Sequence, residues 1–352
     1  MDPSRLLVYG PRRMGKSSAI AMAVTRAERD GCLVAWADFS TATTLADVAS
    51  RLLRSLSAAF RSLPERAIDL IRNVRPQVSL RFDEGTGAPL LTFDASVRQR
   101  PVHDQREAFE SLLDQVDAFA ATQARPVALV FDEFQDILEI GGERADWFLR
   151  GLMQRHTHVS YVCAGSKETL VHAMLEKDSA FYKHFELLHM EPVEAGHMIR
   201  WLEDRMRSAR LDPAGCGAGI LDVAGARTQD RLQLAREVFT TALPRGQVVA
   251  RDVETALDTL IRAEGGVYRA LWDRLSPGQQ DALRAVASRP ERLYTTEVIH
   301  RFGLGSTSGM ARAVEALVSQ GLLARRPGGA DVDNPFFRAW VQRELLPDVP
   351  GS

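Results

Sequence analysis

Eight residues near the start of the chain, Gly10-Pro11-Arg12-Arg13-Met14-Gly15-Lys16-Ser17, set two glycines, a lysine and a hydroxyl at the spacing G-x-x-x-x-G-K-S. That pattern suits a phosphate chain. The glycines allow a tight turn whose N–H groups converge on one concavity, and such a nest binds anions. Lys16 would reach the outer phosphates of a nucleotide, and the Ser17 hydroxyl would ligate Mg²⁺. Pro11, Arg12, Arg13, Met14 and Ser18 complete the segment that would line the nucleotide. A helix starting there would aim its positive end at the same anion.

Asp132-Glu133, directly after the apolar run Val127-Ala128-Leu129-Val130-Phe131, is the second chemical pair. At the carboxyl end of a strand, Asp132 would help hold Mg²⁺ and Glu133 would orient and activate an attacking water. Ser166 follows the run Val159 to Ala164 and Gly165. Two readings of it stand, contact with a terminal phosphate or a cap on the helix Lys167 to Leu175. Arg227, and Arg231 one turn later, offer guanidiniums either to a nucleotide or to salt bridges facing solvent.

These side chains need a scaffold that brings distant turns together. Leu6 to Tyr9, Cys32 to Phe39, Val127 to Phe131, Val159 to Ala164 and Phe185 to Met190 are short apolar runs separated by helical patterns. Alternation of that kind, behind the phosphate loop, predicts an α/β fold, a parallel sheet flanked by helices with right-handed crossovers. The helix after the loop reads as buried and ends at Asp30, before Gly31; the next, entered through Ser40 to Thr44, runs to about Leu63. Alternating apolar residues at Val78, Leu80, Phe82 and at Leu91, Phe93, Ala95, around Gly85 to Pro89, predict a β-hairpin inserted at about 75–101. Asp104-x-x-Glu107 predicts a capping box opening a helix that ends at Gln123.

Beyond Glu194 the pattern is helical: Met198, Trp201, Leu202 and Met206 share a face, Asp212 to Gly219 read as a loop, and helices follow at Thr228 to Leu243 and 251–263. Three further helices, Gln279 to Ser288, Thr295 to Phe302 and Gly309 to Gln320, precede Gly321 to Ala330, which reads as a strand and basic turn. Three short helices and a hairpin describe a winged helix. The expected division is a P-loop core at 1–193, a helical lid at 194–265 and a winged-helix domain at 266–352. Arg312, Arg325 and Arg326 are the residues such a domain would offer DNA. Eleven arginines against eight acids between Tyr268 and Leu346 leave DNA contact and a protein-contact role both open.

With 45% hydrophobic and 26% charged residues over 352 positions, the chain has the balance of an ordinary globular protein. Its net charge of -2 rules out attraction to nucleic acid or membrane by bulk charge. Cys32, Cys163 and Cys216 are scattered without metal-ligand spacing, which predicts a reducing, cytoplasmic setting. No apolar run approaches the ~18 to 20 residues that span a bilayer, and no signal segment precedes the first strand, so a soluble protein without membrane contact is expected.

The motifs together resemble the archaeal-type ATPase family, a branch of the P-loop NTPases related to the STAND ATPases and to AAA+ proteins. GPRRMGKSS, VFDEFQDI, LMQRHTHVSYVCAGS and AFYKHFELLHMEPV carry the likeness in the first half, and LWDRLSPGQQDALRAVAS and DNPFFRAWV in the last part. The resemblance implies ATP as nucleotide, Mg²⁺ as metal, and Gly10, Gly15, Lys16, Ser17, Asp132 and Glu133 as the core site, with Ser166 at the family's GS strand end. Members enclose the adenine with residues ahead of the first strand, and Met1-Asp2-Pro3 has no counterpart to them. Lys183-His184 stands where members often carry an arginine serving a neighbouring subunit. The expected activity is Mg²⁺-dependent ATP hydrolysis coupled to the helical lid and winged helix. The alternative is a slow ATP-gated switch or DNA-binding regulator, whose output is contact with a protein partner, DNA or another copy of the chain.

Overall fold

The computed structural model describes residues 3–59, 78–82, 89–93, 99–123, 125–289, 292–326 and 328–346. Two compact units divide the chain, Met1–Glu191 and Pro192–Ser352.

In the first unit, β1 (Arg5–Tyr9), α1 (Lys16–Arg29), β2 (Leu33–Asp38) and α2 (Leu45–Ala59) open the chain. A separate pair, β3 (Val78–Phe82) and β4 (Pro89–Phe93), is antiparallel, with Val78 opposite Phe93. The expected turn of this hairpin and the tail of α2 to Leu63 lie outside the described residues. Next come α3 (Val102–Thr122), β5 (Val127–Asp132), a 3-10 turn (Phe134–Asp136) leading into α4 (Ile137–Ile140), α5 (Ala145–Arg155), β6 (Val159–Gly165), α6 (Glu168–Leu175) and β7 (Glu186–His189). The five-stranded sheet has the order β2-β5-β6-β1-β7, and every pairing is parallel.

Register is what aligns the chemistry. Tyr9 lies opposite Gly165 and His189, and Asp38 opposite Asp132, so the carboxyl ends of all five strands finish in one row. One sheet face packs on α2 and α3 through residues such as Leu52, Leu53, Phe109, Leu112 and Phe131, all fully buried. The other face carries a small cluster, Val8, Val34, Val130 and Ala164 against Ile20 of α1.

Two local expectations are corrected. The helix α1 buries only Lys16 and Ile20, and its Met22 is 76% exposed. Its small alanines let a narrow stripe cover the sheet, so an apolar run did not mean burial all round. The Asp104–Glu107 pair is not the cap of α3, because the helix begins two residues earlier, behind Pro101, with no side-chain cap. Proline at that position fixes the chain's entry angle, and Glu107 instead pairs with His103 at 3.2 Å.

The second unit is helical: α7 (Ala195–Ser208), α8 (Gly217–Ala224), α9 (Thr228–Ala242) and α10 (Asp252–Asp273), then α11 (Pro277–Ala287), α12 (Thr296–Arg301) and α13 (Thr307–Ser319). The antiparallel pair β8 (Leu323–Arg326) and β9 (Gly329–Val332) and a final α14 (Pro335–Glu344) complete it. The helix α8 begins at Gly217, inside the segment expected as a loop to Gly219, and α10 continues well past 263, through Gly265-Gly266. Ser276 and Gln279 form a reciprocal capping box on α11, and Asn334 accepts from the Phe336 and Phe337 N–H groups at the start of α14. The capped helices pack around Tyr268, Phe336, Phe337 and Trp340.

Candidate functional site

The loop from Gly10 to Lys16 turns through three left-handed positions, Gly10 (φ 144°), Arg13 (φ 67°) and Gly15 (φ 97°). At Gly10 a side chain has no room: a Cβ there would lie 2.7 Å from the Met190 carbonyl oxygen, because β7 runs directly beside β1. Lys16, 6% exposed, folds into the loop and donates from Nζ to the carbonyls of Gly10 and Pro11 at 2.7 and 2.8 Å. Ser17 Oγ donates to Asp132 Oδ2 at 2.7 Å, joining the start of α1 to the end of β5.

Asp132 is 9% exposed, and burial pushes its carboxyl above the usual carboxylate range, partly offset by hydrogen bonds from Ser17 and the Glu133 N–H. Glu133 sits in the left-handed region at φ 49°, a conformation that turns the chain sharply at the strand tip. Its carboxylate is held on two sides. Ser166 Oγ lies 2.8 and 2.6 Å from its two oxygens, and Gln135 Nε2 donates to Oε2 at 2.7 Å. Gln135 is fully buried; its Oε1 accepts from the Ser166 N–H at 3.3 Å, and its amide also donates to Asp136 Oδ1 at 3.1 Å. Lys167 Nζ bonds the same Asp136 oxygen at 2.9 Å.

The structure thus brings Lys16, Ser17, Asp132, Glu133 and Ser166 to one edge of the sheet, with the loop residues Gly10 to Gly15 beside them. No side-chain bond caps α6 from Ser166, whose hydroxyl goes to Glu133 instead. Two participants escaped the sequence reading: Gln135 braces Glu133, and Asp38 ends β2 in register with Asp132. Arg12, expected to line the nucleotide, reaches from Nε to Ser166 Oγ at 3.4 Å. Asp38 had a signal of the same kind as Asp132, an acid closing an apolar strand.

Arg227 lies in the second unit, where both its terminal nitrogens bond the Asp333 carboxylate, and Arg231 donates to the carbonyls of Gly225 and Val193 at 2.7 and 2.9 Å. The winged-helix arginines are also engaged. Arg325 pairs with Glu315, Arg326 Nη2 lies 3.2 Å from Asp331 Oδ2, and Arg312 bonds the Ser308 carbonyl of its own helix at 3.4 Å.

The AAA ATPase domain matches residues 2–163, and a probable winged helix domain matches residues 266–343. The chain therefore carries an AAA ATPase domain with a winged helix domain behind it. No curated protein matches it by sequence. Among solved structures it is similar to the Walker-type ATPase PABY2304 of Pyrococcus abyssi, at 17% identity over 96% of this chain and 91% of that one, with a TM-score of 0.60. It is also similar to the Aeropyrum pernix ORC2 protein, solved in ADPNP and ADP complexes, at 15% identity over 98% and 89% of the two chains, TM-score 0.57. Those likenesses show the fold. In the AAA ATPase domain the loop, the acidic strand tip and Ser166 occupy the carboxyl edge at which such sheets bind ligands. No helix among the described residues is long and apolar enough to cross a membrane.

Proposed function

We propose that the first unit binds ATP with Mg²⁺ and hydrolyses it, and that the nucleotide state is read out by the helical segment and winged helix. The observation that carries this reading is the 2.7 Å bond between Ser17 Oγ and Asp132 Oδ2, which sets a hydroxyl and a buried carboxylate side by side next to Lys16. Both are hard oxygen donors, and Mg²⁺ takes one or two of these from protein and the rest from phosphate and water. The donor set therefore fits the ion, whose chemistry is to neutralise charge on the phosphate oxygens. Gly10 to Ser18 would hold the phosphates, and Ser17 and Asp132 the ion. Glu133 would take the proton of the attacking water, and Ser166 would sense the terminal phosphate. On this reading residues 1–193 are a cytoplasmic ATPase core, 194–265 the helical segment and 266–352 the winged-helix domain. ATP turnover by the wild type against Lys16→Ala and Glu133→Gln tests it. Both variants are expected to lose activity by at least about a hundredfold, and equal rates in all three would overturn it.

A second reading, a slow switch, draws on the engagement of Glu133 by Ser166 and Gln135, which occupies the base that hydrolysis needs. Its output would be contact with a protein, another copy of the chain, or DNA. For DNA the favouring feature is at Asp331, a buried carboxylate facing Arg326, Arg338 and Arg289 at 3.2, 3.3 and 3.7 Å, three guanidiniums on one acid. Turnover in the ordinary range of ~1 to 10³ s⁻¹ for the isolated protein would exclude the slow switch. Duplex binding whose salt dependence weakens in Arg289→Ala with Arg326→Ala would support the DNA output, and no binding at low salt would exclude it.

A further inference from the structure

The phosphate loop carries two adjacent arginines, and their surroundings differ. Arg13 occupies a left-handed backbone position, while the Arg12 side chain leaves the loop and crosses to the tip of β6. There its Nε is 3.4 Å from Ser166 Oγ, a weak contact to a neutral oxygen. Among the described residues no hydrogen bond engages its two terminal amino groups. An exposed guanidinium with an open fork of donors stands at the edge of the site, and bidentate recognition of a phosphate is what that geometry does best.

What lies behind Ser166 gives this placement a consequence. The serine hydroxyl is a single donor, and it is within 2.8 and 2.6 Å of the two Glu133 oxygens. Arg12 is thus two hydrogen bonds from the acidic group at the strand tip, through the Ser166 hydroxyl. Lys16 is buried in the loop itself, on the Gly10 and Pro11 carbonyls. The two cations therefore stand at different places, Lys16 inside the loop and Arg12 at the tip of β6 beside Ser166.

We propose that Arg12 is the group by which this site tells a nucleoside triphosphate from a diphosphate, exchanging its contact with Ser166 for the terminal phosphate. The inference rests on the nucleotide-binding reading above and adds the determinant of phosphate number. A terminal phosphate brings negative charge towards Glu133, and the guanidinium offsets that repulsion. A diphosphate ends short of Arg12 and leaves its contact with Ser166 in place.

Direct binding of a non-hydrolysable ATP analogue and of ADP, each with Mg²⁺, tests the proposal by calorimetry on the full chain. Arg12→Ala should weaken the triphosphate analogue by about ten- to a hundredfold, the cost of losing a charged hydrogen bond, and ADP by less than about threefold. Arg12→Lys should recover part of the affinity but not the full discrimination, because an ammonium cannot bind in a fork. Equal loss for both nucleotides, or no loss for the triphosphate, overturns the assignment. Lys16→Ala is the companion variant and should weaken both nucleotides together. If the wild type binds neither nucleotide, the nucleotide reading itself fails and Arg12 has nothing to discriminate. Far-ultraviolet circular dichroism and the unfolding temperature of each variant separate lost contact from lost fold.

Discussion

Burial lifts the Asp132 carboxyl above its usual range, against the opposing hydrogen bonds of Ser17 and the Glu133 N–H. A raised acid binds its proton more tightly folded than unfolded, so its favourable share of stability exists at low pH and is lost as pH rises through the folded value. At pH 7 the charged Asp132 therefore weighs against folding. Asp132→Asn should raise the unfolding temperature of the nucleotide-free protein near pH 7, with the gain shrinking towards about pH 4; a variant no more stable at neutral pH would contradict this. His184 behaves oppositely. Burial, then the Arg5 and Arg150 charges, lower it to about 4, so its contribution is present above its ordinary value of 6.5 and lost as pH falls towards 4. His184→Gln should flatten that part of a stability-against-pH curve measured by denaturant unfolding. Lys16, Ser17, Asp132 and Glu133 were legible because each stands where an apolar run meets a turn, and parallel register carries those turns to one edge. The link from Arg12 to Ser166 spans 154 residues and depends on β6 lying beside β1, which no local pattern encodes.

At the scale of elements, strands were easier to read than helix ends. Four or five consecutive β-branched and apolar residues flanked by turn formers leave few alternatives, whereas glycine misleads. Gly217 and Gly219 made α8 look like loop, but a Cβ at Gly217 would stand 2.8 Å from Ile199 Cγ2, so the glycine is there to let α8 approach α7 closely. Gly217→Ala should accordingly destabilise the second unit despite the better helix propensity of alanine. Gly265 and Gly266, inside α10, present the reverse case. A Cβ on either meets nothing within 4 Å. Replacing each by alanine should stabilise the unit by up to about 1 kcal/mol, read as a higher unfolding temperature; a decrease would mean that the helix needs the freedom of glycine there.

For the molecule as a whole, each unit has its own core, one gathered around Phe109 and Phe131 and the other around Tyr268, Phe337 and Trp340. Calorimetry should therefore resolve more than one unfolding transition. On the proposed function, a ligand for the first core shifts that transition and not the other. Excess Mg²⁺ and ATP analogue, at a hundred times the dissociation constant, should stabilise it by about 2.7 kcal/mol, and Lys16→Ala should remove the shift. Movement of both transitions by the same amount would mean that the two units unfold as one.

The lysine seated on the carbonyls of Gly10 and Pro11 also bears on kinetics. With those two bonds the loop keeps its left-handed turns closed around its own cation, so most of the entropy of ordering it is lost during folding. A phosphate chain then meets a pre-organised cradle, and its arrival requires one ammonium to change partners rather than eight residues to find a conformation. Association at such a site is governed by encounter and steering, and differences in affinity among loop variants should appear chiefly as differences in residence time.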